Sequence, residues 1–315
     1  MSAAGRPARI LTIGLACLWI FDGLLQLQPA MFTHLLVSYL WLPVARGNPA
    51  WLADAIRWSI GFARPWLVGF NALVAGTQLA IGVLLLTRRP RLVRAGLWAS
   101  VLFGLAVWVF GEGMSGLLAG GGTLADGVPG SALLYSLGAA ALLIPPDGWR
   151  RFTRWFGFNP LQAIVALILF VGAFWQLAAE NWTPMGLSAP PAGDFMMPQP
   201  QILRAALSFA SGVIMRAPIT VNAALISAMA VAGVLVLFAI NRTAVCVAVL
   251  ALIAAVWIVG QDAGMIFSGT ATDPNTMPLI ALFVAASWAE GRPEHARSAA
   301  HGRRRPTLDQ AHTPA

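Results

Sequence analysis

The chain has 315 residues, of which 58% are hydrophobic and only 10% charged, with a mean hydropathy of +0.73. That balance excludes an ordinary soluble domain and points to a polytopic membrane protein, an all-α bundle whose solvent is lipid. All 20 basic side chains are Arg and the net charge is +8, but these charges sit between apolar runs, so the expected partner is a lipid bilayer and not nucleic acid.

Taken in chain order, eight apolar runs are expected to form transmembrane helices, at residues 10–27, 65–86, 92–110, 132–144, 161–177, 218–240, 244–260 and 277–288. A full span needs roughly 20 residues, so the fourth and eighth are short. They are expected to extend into neighbouring Gly- and Pro-rich stretches or to pack as partly re-entrant helices shielded by protein. The first run follows Arg6 and Arg9, but it carries Asp22 and no convincing small-residue cleavage site, so it reads as an uncleaved span. Between the first two runs, Trp51, Leu52, Ile56 and Ile60 fall near one helical face, the pattern of a helix lying in the headgroup layer. Residues 291–315 lack apolar periodicity and read as a disordered basic tail, with a topological role or a contact with anionic headgroups.

If the N-terminus is cytoplasmic, inner segments collect fifteen Arg and outer segments five, namely Arg46, Arg57, Arg64, Arg204 and Arg216. This split satisfies the positive-inside rule and puts both termini in the cytoplasm. Arg-only, Ala- and Gly-rich usage is that of a high-GC bacterium, so the expected location is a bacterial plasma membrane.

Two octapeptides, "AVWVFGEG" at 106–113 and "AVWIVGQD" at 255–262, align at an offset of 149 residues. The alignment pairs Trp108 with Trp257, and Glu112 with Gln261 one position before Asp262. Nearly the same offset pairs Gln26 with Gln176, Arg64 and Pro65 with Arg216 and Pro218, Asn71 with Asn222, and Asp126 with Asp273. Two tandem four-helix repeats follow, at 1–148 and 149–290, with the boundary in "PPDGWRRFTRWFGFNP". Four is even, so the halves share one orientation and the repeated acidic rim faces one compartment, the outside.

The stretch "NALVAGTQLAIGVLLLTRRPRLVRAGLWASVLFGLAVW" resembles the DoxX-like four-helix integral membrane proteins. The shared pattern is a polar residue, Gln78, then Gly82, a Leu run and a Thr-Arg turn at Thr87 and Arg88. The opening "IGLACLWIFDGLLQLQP" looks like that family's first helix. This chain has Gln78 where the family often has an acid, and "INRTA" where a second Thr-Arg turn would stand. The resemblance implies an accessory or redox-associated protein with a quinone-linked or thiol-linked membrane partner.

Asp22 lies well inside the first span, where a charge costs about 2.5 kcal/mol or more. With Gln26, four residues on, it marks one helical face as a pocket wall or as interhelical glue. Glu112, Asp262, Asp126 and Asp273 either solvate helix ends or form an acidic outer mouth that attracts cations. Arg64 and Arg216 are expected to pair with these acids, or to bind headgroups or an anionic substrate. Trp108 and Trp257 are belt aromatics or quinone-stacking surfaces. The candidate pocket is therefore Asp22, Gln26, Arg64, Gln78, Trp108, Glu112, Gln176, Arg216, Trp257 and Asp262. Met31 with His34, and Met196 with Met197, are too few for a metal site. Cys17 and Cys246 sit in apolar runs and read as buried thiols. No nucleotide, zinc-protease or serine-hydrolase motif specifies a cofactor or a catalytic mechanism. Two functions follow as expectations: a small lipophilic ligand or partner subunit bound at the outer face, or a small-solute or proton transporter using Asp22 and the acidic mouth.

Overall fold

The computed structural model describes residues 5–120, 122–187 and 198–290, and among these the secondary structure is helical, with no strand. Hydrocarbon offers no water to unpaired N–H and C=O groups, so helices that pair their own backbone are what a chain this apolar can form in lipid. Four are long and apolar enough to cross a membrane: Arg6–Leu25, Ala50–Leu86, Pro90–Gly111 and Pro218–Ala239. A fifth span exists if Pro146–Phe156 and Pro160–Trp175, bent by 56° at their junction, are one. Ser131–Leu143, Thr243–Val259 and Thr276–Glu290 are apolar but shorter.

We label the helices α1 (Arg6–Leu25), α2 (Ala50–Ala63), α3 (Leu67–Leu86), α4 (Pro90–Ala106), α5 (Ser131–Leu143), α6 (Pro146–Phe156), α7 (Pro160–Trp175), α8 (Gln201–Arg216), α9 (Pro218–Ala239), α10 (Thr243–Val259) and α11 (Thr276–Glu290). Prolines open α4, α6, α7 and α9, where a missing N–H costs nothing. The start of α7 adds a capping box, with Asn159 Oδ1 accepting from Gln162 N and Gln162 Oε1 from Asn159 N. Residues 51–62 form a helix as expected, within α2, with Leu52, Ile56 and Ile60 buried on one face and Trp51 exposed, and α2 runs into α3 through a single 3-10 turn at Arg64–Trp66. The calls on the tail at 291–315 and on Met196 and Met197 lie outside the described residues.

The helices pack in neighbouring pairs: α1 on α3, α4 on α5, α7 on α9, and α10 on α11. At the centre, α11 packs on α1, α5 and α7, and α5 also touches α1 and α7, with Leu15, Leu134, Val165, Leu169, Ile280 and Phe283 in the buried core. Lipid tails are as apolar as Leu, so this association depends on close packing at small residues. A Cβ on Gly82 of α3 would sit 2.8 Å from the Ala16 carbonyl oxygen of α1. At Gly104 of α4 it would sit 2.7 Å from the Ala132 carbonyl oxygen of α5 and against the Ser136 hydroxyl. Each glycine lets two backbones touch.

Replacing Gly104 by Val should therefore push α4 off α5 and destabilise the bundle by about 1–3 kcal/mol. Thermal unfolding of the detergent-solubilised protein measures this; an unchanged melting temperature would show that the contact is not tight.

Candidate functional site

Between the α1–α5 helices and the segment that joins α10 to α11 lies an open cavity of about 1100 Å³, at or above the upper end of ordinary small-molecule sites. Trp19, Asp22 and Gln26 reach it from successive turns of α1, Gln78 from α3, Phe103 from α4 and Tyr135 from α5. Glu112, Asp126, Asp273 and Asn275 enter from the loops. Trp58, Phe62 and Leu73, all highly exposed, line its rim.

The walls are built on committed hydrogen bonds. Gln26 donates from Nε2 to Asn71 Oδ1 at 2.5 Å, and Asn71 donates from Nδ2 to the Gln26 carbonyl at 2.9 Å, which locks α1 to α3. The Trp19 indole donates to Ser100 Oγ at 2.9 Å and stacks on Tyr135 with ring centroids 4.1 Å apart. Beyond α4, Trp41 Nε1 donates to the Phe110 carbonyl at 2.6 Å and Trp108 Nε1 to the Pro129 carbonyl at 2.8 Å.

Glu112 follows the α4 span, in a turn that reverses through positive φ at Met114 and Ser115. One carboxylate oxygen accepts from Ser131 Oγ at 2.8 Å and Ala132 N at 3.1 Å; the other accepts from Ser115 Oγ at 2.9 Å. Ser131 and Ala132 open α5, so the acid sits at the positive end of a helix dipole. Burial, and then the nearby Asp273 carboxylate, nevertheless push the Glu112 carboxyl from 4.5 up to about 7, against those three hydrogen bonds.

Asp22 is 1% exposed, and its carboxyl faces the Tyr135 hydroxyl, with Asp273 and Glu112 further across the cavity. Asp22 Oδ1 and the Tyr135 hydroxyl have no partner at ordinary hydrogen-bond geometry beyond facing each other, and Gln78 Oε1 and Asn48 Oδ1 are unpaired. Buried polar atoms are normally satisfied. Four such atoms, on Asp22, Asn48, Gln78 and Tyr135, border one hollow and mark a place where something else can supply a bond.

Of the expected pocket residues, Asp22, Gln26, Gln78 and Glu112 line this cavity, and Trp108 closes the loop beside it. Gln176, Trp257 and Asp262 lie in the other half. The Gln176 carbonyl accepts from Asn222 Nδ2 at 3.1 Å, Trp257 Nε1 donates to the Pro274 carbonyl at 2.8 Å, and Asp262 accepts from Gln199 Nε2. Arg64 and Arg216 are exposed, and among the described residues the ion pairs are Arg57–Asp54 and Arg150–Asp147, not the expected pairing with the acidic loops. Both of those pairs join residues three apart on an exposed helical turn, a cheaper contact than carrying an arginine across to a loop. Met31 is buried and His34 exposed, so they share no surface. Cys246 is buried as expected, but Cys17 is exposed on the outer side of α1. Sequence reasoning missed Trp19 and Tyr135. The signals were present: Trp19 lies one turn before Asp22, and Tyr135 is one of two tyrosines in the chain and lies inside an apolar run.

A carboxyl raised in the fold binds more protons there than in the unfolded chain. The stability it contributes is thus complete below pH 4.5 and is lost as pH rises through about 7. Wild type should lose on the order of 1–3 kcal/mol over that window, allowing for partial exposure of the carboxyl. Glu112→Gln should flatten the dependence in melting curves taken across pH; equal slopes would contradict the assignment. Compared with family models, curated proteins and solved structures, the chain matches none, so the reading of this cavity rests on its own residues.

Proposed function

We propose that the protein is an integral membrane protein of two tandem four-helix units, the first of which binds a small lipophilic molecule. The single observation that carries this is the cavity of about 1100 Å³ with orphaned polar atoms of Asp22, Gln78 and Tyr135 at its floor.

Support for the tandem reading comes from hydrogen bonds that recur at matched positions. Asn71 and Asn222 each donate to the carbonyl of the matched glutamine, Gln26 and Gln176. Trp108 and Trp257 each donate to a proline carbonyl at 2.8 Å. Glu112 accepts from Ser131 Oγ and Ala132 N, while Gln261 accepts from Met277 N and donates to Thr276 Oγ1 at 2.6 Å. Both joints follow with a turn at positive φ, through Met114 and Ser115 or Ala263 and Gly264.

In this register the polar floor of the first unit has apolar counterparts. Trp19, Asp22, Gln78 and Tyr135 match Leu169, Gly172, Met229 and Ile280, which are buried. The space beside Gly172 is filled by Leu124 from the first unit's own loop. The second unit is in this reading the scaffold and the first the binding unit.

The redox setting implied by the DoxX-like resemblance makes a quinone the first neutral ligand to try. The positive-inside distribution orients both termini to the cytoplasm of a bacterial plasma membrane, with Glu112, Asp126 and Asp273 on the outer side. A second reading, a proton or small-solute transporter, is favoured by the burial of Asp22 within α1.

Mild extraction followed by mass spectrometry should find a lipophilic molecule on wild type and several-fold less on Val107→Trp, which narrows the cavity. Equal retention by both would count against the binding function. In proteoliposomes, flux abolished by Asp22→Asn would favour transport, and absence of flux from both forms would eliminate it.

A further inference from the structure

We propose that the ligand of this cavity is a lipophilic organic cation, its positive head held by Asp22 and Glu112 and its apolar body against Trp41, Phe70 and Phe103. The inference rests on the binding function proposed above and adds the chemistry of the ligand.

The first argument is the sign of what is missing. The indole donors of Trp19 and Trp41 in the cavity wall, and of Trp108 beside it, are spent on protein acceptors, and Trp58 stands out at the exposed rim. Asp22 Oδ1 and Gln78 Oε1, both buried, remain acceptors without donors. The Tyr135 hydroxyl is the one unsatisfied donor here and faces Asp22, so a neutral carbonyl ligand would compete for it, whereas an ammonium or related head brings the donors or the positive charge that Asp22 Oδ1 and Gln78 Oε1 lack.

The second argument is charge. Asp22, Glu112, Asp126 and Asp273 line the hollow, and Arg46, exposed at the rim, is the one basic residue among its lining. Asp126 is met by Thr123 N and Oγ1, and Asp273 by Thr272 Oγ1 and Asn275 N, and Glu112 too accepts three hydrogen bonds, so Glu112 contributes charge while Asp22 contributes the open acceptor. Asp22 has no cation within its surroundings, and an uncompensated carboxylate in a span is costly. Aromatic faces around a desolvated cation add attraction through their quadrupoles; Trp41 and Phe70 stack with centroids 5.4 Å apart, and Trp19 and Tyr135 at 4.1 Å.

The third argument is the matched unit. It makes the same helix joint with the amide of Gln261 instead of a carboxyl and has Gly172 in place of Asp22. The contact with the start of the following helix is thus made by an amide in one case and a carboxyl in the other. The carboxyl of Asp262, one residue on, bonds Gln199 away from this cavity; Glu112 and Asp22 are the acids that the cavity side retains at these two positions.

The test measures tetraphenylphosphonium, which has no titratable group, by equilibrium binding to the full chain in nanodiscs of zwitterionic lipid. Decylubiquinone serves as the neutral comparison. Wild type should bind the cation, more tightly as pH rises through the range in which Glu112 ionises, with Asp22, Asp126, Asp273, Tyr135 and Arg46 the other groups facing the site. Glu112→Gln and Asp22→Asn should each weaken it about tenfold or more, while Glu180→Gln, which removes an exposed charge in the other unit, should not. The Glu112→Gln variant keeps the amide geometry already present at Gln261, so a loss there is not a folding failure. Binding of decylubiquinone but not of the cation would overturn this inference and leave the cavity's binding role intact. Binding of neither would overturn both, and cation binding indifferent to both substitutions would place the ion elsewhere and reject the proposal.

Discussion

In hydrocarbon, a polar atom that the chain does not satisfy itself is satisfied by nothing. The structure is organised around this constraint. The chain disposes of its few polar side chains in pairs at helix junctions: Gln26 with Asn71, Trp19 with Ser100, and Glu112 with the start of α5. Each pair fixes the relative height of two helices, which close packing of leucines alone does not. Unpaired atoms occur elsewhere too, at Gln176, Asn222 and Ser287, but those of Asp22, Asn48, Gln78 and Tyr135 are the ones that border a hollow large enough for a ligand.

Glu112 shows how one residue can serve both architecture and chemistry. Its carboxylate closes the loop between α4 and α5 by accepting from the first residues of α5. The Gln261 amide does comparable work in the other half. A carboxyl at this point adds only a charge that burial makes reluctant and that a neighbouring carboxylate makes more so. In the proposed mechanism that reluctance holds the site ready for a positive ligand.

Much of the architecture was legible in the sequence because lipid imposes a simple code. The long apolar runs became the helices Arg6–Leu25, Pro90–Gly111 and Pro218–Ala239, and Asp22 with Gln26 fell on one face because they are four apart. The repeated octapeptides pointed to Trp108 and Trp257, whose indoles occupy matching joints. What stayed hidden depends on distances across the bundle. Tyr135 reaches Asp22 only because α5 packs against α1, and Trp19 and Phe103 meet only in the fold. Arg64 aligned well with Arg216 yet faces outward, since alignment reports position along a helix and not the direction in which a flexible side chain finds water.

The loop between α4 and α5 also couples the halves. It brings Asp126 to the cavity of one unit while its Leu124, 1% exposed, is seated beside Gly172 of the other, where a Cβ would lie 2.8 Å from its Cδ2. Leu124 is thus a bolt thrown from one half into the other. Severed from its neighbour, one set of helices would be left with a void at Gly172 and the other with a bared leucine, so neither set packs fully without the other.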